Sequence, residues 1–547
     1  MTRCIAAFLI GATVSAATAQ ALPDAGSAIQ EIERLPVQLP PEQSPGIQLP
    51  QAPTSEIKRT GPAIYVKSFE VSGNDAIATE EILPLLADLT NQRIPFGALK
   101  AASGRVTLMY RTHGYPLAYA YVPPQDISQG IIRIKVLEGR YGEIKVNNTS
   151  TLREHAMAPV KNFRSGEIVQ ANALERNLLL LRDIPGVDVK ATLAPGASVG
   201  TTDLILDVMP TSRIDGSIGI DNLGNRFTGQ NRLSGSINLN NPLGLGDRLS
   251  LRGIASDEKQ SYERVDYRIP VGRFGTQVGA AYSNMDYQLA KDFDNLEAHG
   301  SAQIMSLYVQ QPLIRSRKLL VNTQAQFDHK RLSDQIDLFD TKSSKVIDTL
   351  TLSTSASNSD NWLGGGLNSA GLSWSYGKLD IGGANNRAYD EATAQSQGSF
   401  QKINASLARL QLLSERISLL AQIQGQWSDG NLASAEKLNL GGFYGVSAYP
   451  EGEADGDLGF LAKAELRYAL TPRWQLSSFV DYGQVTINKK AWANEPNDRE
   501  LSGFGMGAAW SNGGWHVNAV SAWKLSSKTE SDVDRNPRVW IQLIRDF

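Results

Sequence analysis

Four carboxylates alternate along one short stretch: Glu451, Glu453, Asp455 and Asp457, at the end of a glycine-rich run that begins at Gly441. Oxygen donors at every second position suit a hard cation, and an acidic loop in water is the commoner use of such a run. Elsewhere reactive groups are sparse. The five histidines, His113, His155, His299, His329 and His516, are scattered, with no pair at metal-ligand spacing. The single cysteine, Cys4, lies near the start of the chain, and neither a G-x-S-x-G nor a P-loop pattern occurs. The sequence therefore predicts no catalytic residue, no metal and no cofactor.

The elements around that acidic stretch begin with a leader. Arg3, an apolar run and Ala17-Thr18-Ala19 predict a secretory signal peptide over residues 1–19. Cys4 precedes the apolar run, which is the wrong order for a lipidated cysteine. A chain of 547 residues exceeds what one core supports, so two or more folding units are expected. The balance of 53 basic against 56 acidic residues argues against nucleic acid as a partner. After the leader no run of about 18 apolar residues remains, which excludes an ordinary transmembrane helix and leaves a transmembrane barrel open.

Residues 20–60 read as a short helix and a linker. Ile29, Ile32 and Leu35 share helical spacing over Ser27 to Leu35, and Ser27 with Gln30 fits a capping box. Pro36, Pro40, Pro41, Pro45, Pro50 and Pro53 then predict an extended, semi-stiff connection. From Pro62 the order β-α-α-β-β is predicted over 61–139, and the same order returns over 140–212, an internal repeat. Within the first copy, Arg111-Thr112-His113-Gly114-Tyr115-Pro116 and Gly130-Ile131-Ile132-Arg133-Ile134-Lys135-Val136-Leu137-Glu138-Gly139 resemble the polypeptide-transport-associated (POTRA) domain of two-partner secretion transporters. These are the outer-membrane hemolysin secretion/activation and filamentous-hemagglutinin translocator proteins. The resemblance implies a periplasmic module that captures an unfolded client by adding it to a sheet edge, where unpaired backbone groups accept extended peptide.

Residues 213–547 switch to period-two alternation. Ile417 to Trp427 sets an apolar face against Gln422, Gln424 and Gln426, and Phe460 to Tyr468 puts Lys463, Glu465 and Arg467 on one face. A lipid-facing Lys or Arg costs about 2–4 kcal/mol at the midplane, so those three are predicted to face a wet lumen. Sixteen strands are predicted, starting near 213, 229, 246, 260, 274, 300, 317, 347, 367, 399, 415, 458, 473, 502, 514 and 537. Tight turns alternate with long polar stretches at 289–298, 331–346, 378–398, 429–457, 487–501 and 525–536, the rim asymmetry of an outer-membrane barrel. The chain ends on Phe547 after an alternating strand, which resembles the signal read by the outer-membrane assembly machinery.

The acidic stretch then falls between the eleventh and twelfth predicted strands, in the sixth surface loop. In the resembled family that loop folds into the lumen and carries a Val-Arg-Gly-Tyr or Val-Arg-Ala-Tyr-Pro motif, whose arginine meets a Phe-x-Asp motif on the thirteenth strand. This chain has Val446-Ser447-Ala448-Tyr449-Pro450 and Phe479-Val480-Asp481-Tyr482-Gly483, so the aspartate is present and the arginine is replaced by serine. A neutral bond from Ser447, or pairing of Asp481 with Arg467, stands in its place. The resemblance implies a non-enzymatic transporter in the outer membrane of a Gram-negative cell. It would conduct a large, β-helical exoprotein without ATP, with the Ser27 to Leu35 helix as a resting plug. The rivals are a barrel-assembly factor of the wider superfamily, a ligand-uptake channel, and an outer-membrane lipase or protease, for which no Ser/His/Asp or carboxylate set is locatable.

Overall fold

A computed structural model describes residues 22–34 and 61–547. The predicted signal peptide, the proline-rich connection and Leu35 lie outside the described residues. The first small unit contains strands Ala63–Val66 and Ser68–Ser72, a short helical stretch Thr79–Leu89, strand Gln92–Pro95, helix Phe96–Thr112, and strands Tyr119–Tyr121 and Ile131–Leu137. It has two strands more than predicted, because the expected first strand is split and Gln92–Pro95 is added. The expected first strand changes partner at Lys67, pairing before it with Gln92–Pro95 and after it, in parallel, with the strand from Ile131. Val66, Leu86, Leu99, Val106, Ile132 and Ile134 are fully buried between helix and sheet.

The second unit repeats the plan with strand Arg140–Asn148, a kinked 3-10 stretch Glu154–Asn162, helix Ala171–Arg182, and strands Val187–Pro195 and Thr201–Pro210. It is clamped to the barrel rim. Arg315 donates to both oxygens of Asp183 at 2.7 Å, and Arg176 donates to the carbonyls of Leu313 and Pro312 at 2.8 and 3.1 Å. Charge-assisted bonds of this kind are about twice as strong as neutral ones.

The remainder closes into an antiparallel barrel of sixteen strands, from Ile214–Asp221 to Arg538–Asp546. Lipid offers no partner for backbone N–H and C=O groups, so a spanning sheet must close on itself. Outward side chains such as Ile220, Leu307, Val480 and Ile541 are exposed and apolar. Among the described residues no helix is long and apolar enough to cross a membrane. The stretch 331–346, expected as a loop, is instead the paired ends of strands Leu319–Ile336 and Thr341–Asp360 around a tight turn. These strands hold 18 and 20 residues, about twice what a bilayer requires, so their ends rise beyond lipid and the outward face turns polar at Arg331, Ser333, Gln335, Lys342 and Ser344. Polar strand ends read as loop, which also explains the late predicted starts at 347 and 502, against Thr341 and Asp498.

Closure is shortest at the seam, where Ser217–Asp221 pairs with Gln542–Asp546. Phe547 and Gly216 exchange N–H···O bonds at 3.0 and 3.1 Å at one end. At the other, the Asn222 side chain imitates a backbone: Nδ2 donates to Val539 O at 3.0 Å and Oδ1 accepts from Ile541 N at 2.7 Å. Asn222→Ala is expected to weaken the seam by about 1–3 kcal/mol. A lower temperature for the shift of the folded band on a detergent gel would register it, and an unshifted band would refute the clasp.

Candidate functional site

A barrel of sixteen strands is too wide for its own side chains to fill. Two elements enter it. The first is the N-terminal helix Ala25–Glu33, which starts one turn earlier than a Ser27–Gln30 capping box would set it. Asp24 is the cap: its Oδ1 accepts from Ser27 N at 2.9 Å, while Ser27 Oγ accepts from Asp24 N at 3.1 Å. Gln30 is thereby free to reach the carbonyl of Lys437. Ala25, Ala28, Ile29 and Ile32 bury against Met285, Ala302, Leu332 and Ala435. The polar face is held by the lumen wall, with Lys345 3.2 Å from Asp24 and Arg264 3.2 Å from Glu33.

The second element is the sixth loop, residues 429–457. Its stem is a small ribbon, Leu438–Asn439 against Asp455–Gly456. Gly442 turns the chain back at φ 89°, a left-handed conformation that glycine adopts without steric cost. Val446, Ser447, Ala448, Tyr449 and Pro450 are buried beyond it. The Ser447 backbone N–H donates to Asp481 Oδ2 at 2.9 Å, and Trp540 Nε1 donates to Ser447 O at 2.7 Å. The structure thus brings the loop motif and the Phe479/Asp481 strand together through the Ser447 backbone. Gly483 on the same strand leaves room for Leu440, whose Cδ2 would lie 2.8 Å from a Cβ there.

Arg467 does not meet Asp481; it pairs with Glu465 at 3.1 Å. Lys463 is the cross-strand partner of Asp481, and its Nζ lies 4.0 Å from the Phe479 ring centre. Lys463, Glu465 and Arg467 line a lumen cavity of about 330 Å³ with Gln422, Gln424 and Ser477.

The acidic run is not a solvated loop. Glu451, Glu453 and Asp457 are 6%, 1% and 0% exposed. Glu453 accepts from Glu530 N and Ser531 N at 3.0 and 2.9 Å and from Arg499 at 2.7 Å. Asp457 accepts from Leu432 N and Lys489 N at 3.0 and 2.8 Å. These carboxylates accept from backbone donors of neighbouring loops and, at Leu432, of the loop itself. Among the described residues no three acidic, histidine or cysteine groups converge as metal ligands.

A family model for haemolysin secretion/activation proteins of the ShlB/FhaC/HecB type matches residues 200–510. The chain belongs to that family. A model for the ShlB-type POTRA domain matches residues 64–139 of this ShlB/FhaC/HecB-family chain. The heme/hemopexin transporter protein HuxB of Haemophilus influenzae is 27% identical, covering 96% of this chain and 95% of its own length. The outer membrane transporter CdiB of Escherichia coli is 26% identical over 87% and 81%. Among solved structures, CdiB from Escherichia coli superposes with a TM-score of 0.72 at 21% identity, covering 96% of both chains. BamA from Haemophilus ducreyi lacking POTRA domains 1–3 gives 0.53 at 12% identity, over 89% of this chain and all of that one. Like its family, this protein is an outer-membrane transporter that works with a secreted exoprotein partner, and its POTRA module lies in the periplasm.

Several residues of this transporter's site carry no sequence signal of their own. Asp24, Arg264, Lys345 and Trp540 are scattered over more than 500 positions, and only the closed barrel brings them to the helix and loop. Two outcomes are expected. Asp481→Ala leaves the buried Ser447 N–H unpaired, at about 1–3 kcal/mol, whereas Asp481→Asn keeps an acceptor. Protease sensitivity across 441–457 should rise in the first and much less in the second; equal behaviour would refute the brace.

The other outcome concerns pH. Burial raises the Glu31 carboxyl well above its usual range, with Glu451 and Asp455 alongside adding to the shift against Asn225 and Arg232. Burial likewise pushes Asp455 up to about 7 despite Lys437. The seated helix and loop hold these protons more tightly than separated ones, so seating loses stability as pH rises from the ordinary carboxylate range through about 7. Open-state occupancy in planar bilayers should increase from pH 5 to pH 8, and Glu31→Gln should flatten that rise.

Proposed function

We propose that this chain exports a large β-helical exoprotein and that the N-terminal helix is the plug of its resting state. The observation that carries the reading is the double filling of a sixteen-stranded lumen by a terminal helix and a returning loop in a member of an exporter family. Both fillings are bound through polar and charged groups, which exchange with water as the plug leaves. The client joins a free sheet edge in the periplasm. Ser68–Ser72 and Tyr119–Tyr121 border the first sheet, and Arg140–Asn148 and Val187–Pro195 the second.

From there it threads a lumen lined by Lys463, Glu465, Arg467 and glutamines, and folds on emerging. No nucleotide is consumed; direction comes from capture on one side and folding on the other. Phe547 serves as the barrel-assembly signal, and Val446 to Pro450 with Phe479, Asp481 and Gly483 brace the loop.

The short seam between the first and last strands favours a second reading, insertion of other barrels into the membrane. Depletion would then lower many outer-membrane proteins, whereas an exporter's depletion lowers one secreted protein. Deleting residues 25–33 should raise single-channel conductance several-fold; an unchanged conductance would sink the plug. Proteoliposomes carrying the protein should translocate the exoprotein encoded beside it in the absence of ATP, and a nucleotide requirement would overturn the energetics.

A further inference from the structure

The cations that fix the sixth loop fall into two sets. Arg499 on Glu453, Lys437 on Asp457, and Lys330 with Lys402 on Glu436 belong to the barrel wall or to the loop itself. They anchor the stem and stay in place when the helix departs. The turn at the loop's far end, residues 441–445, is held differently. Arg34, immediately after the helix, donates from Nη1 to Gly441 O at 2.9 Å and from Nη2 to Tyr444 O at 3.2 Å, a fork closed over that turn. The carboxyl groups of Glu31, Glu451 and Asp455 lie around the guanidinium. Glu451 accepts from Phe443 N at 3.1 Å, inside the same turn.

The turn carries Phe443 and Tyr444, ring centres 5.1 Å apart, with Phe443 also edge-on to Trp540 at 6.4 Å. Both rings border the cavity that Lys463, Arg467 and Arg34 line. Two backbone carbonyls of the turn therefore take their charged donor from a group that is not part of the loop.

We propose that Arg34 is the positioning residue of the aromatic turn at 441–445, so that helix withdrawal releases the turn and moves Phe443 and Tyr444 out of the lumen while the stem and the Ser447–Asp481 brace remain. The step rests on the reading of the helix as a resting plug. Helix and loop are then successive barriers operated by one side chain. The helix keeps independent holds at Asp24–Lys345 and Glu33–Arg264, so losing Arg34 frees the turn before it frees the helix.

The natural chain has a single cysteine, Cys4, which makes cysteine labelling a clean readout. In the full protein, Tyr444→Cys reports on the turn and Ile29→Cys on the helix. Adding Arg34→Ala should raise maleimide labelling at Tyr444→Cys by about tenfold or more, since charge-assisted hydrogen bonds are lost, while Ile29→Cys stays protected. Arg34→Lys, which offers one ammonium in place of a fork, should fall between. The proposal is overturned if Tyr444→Cys labelling does not change, or if it rises only in step with Ile29→Cys, because Arg34 would then merely seat the helix. Folding of each variant is verified by the detergent-gel shift. Should Tyr444→Cys not fold, Phe443→Cys gives the same readout. Failure of the plug reading itself would appear separately, as unchanged conductance on deleting residues 25–33.

Discussion

Lipid cannot hydrogen-bond a peptide group, and that constraint generates most of this molecule. A spanning sheet must close, and closing it with sixteen strands produces a lumen wider than side chains can fill. An outer membrane would leak through such a hole. The chain answers with two inserts drawn from opposite ends of its sequence, the helix Ala25–Glu33 and the loop 429–457, which meet at Ser434 to Lys437. Neither insert has a stable core alone; each buries its apolar residues against the other and against the wall.

Much of this was legible because membrane geometry writes itself into period-two alternation. Glutamines opposite Ile423 and Trp427, and Lys463, Glu465 and Arg467 on one face, located strands and assigned their sides. Where strands outrun the bilayer the signal disappears: Arg331 to Ile336 pairs with Thr341 to Val346, and its outward Arg331, Ser333 and Gln335 are polar where lipid-facing residues would be apolar. The helix start was misplaced for a related reason. Asp24 and Ser27 form the box instead, and Asp24 also accepts from Lys345 on the wall and Ser434 in the loop, contacts that no local spacing records.

The acidic run shows the same limit from the other side. Alternating carboxylates in a glycine-rich loop look solvated, and the cue to the contrary lies in what they face. Glu453 serves the backbone of residues 530 and 531, Asp457 serves residues 432 and 489, and Glu451 serves residue 443. A loop turned into a lumen brings several other loops with it, each with unpaired N–H groups. Carboxylates are the side chains that accept several such bonds at once.

The missing arginine at Ser447 gains its meaning from this arrangement. An arginine there would bind loop to wall with a charged fork, independent of the helix. In this chain the Ser447 brace to Asp481 is made through backbone, and the charged fork is delivered by Arg34 from the plug. Moving the cation from the loop to the helix changes what the two inserts can do. With the charge in the loop, the loop stays ordered whatever the helix does. With the charge on the helix, order in the aromatic turn becomes conditional on the helix being present, and one displacement removes both obstructions from the path of an emerging chain.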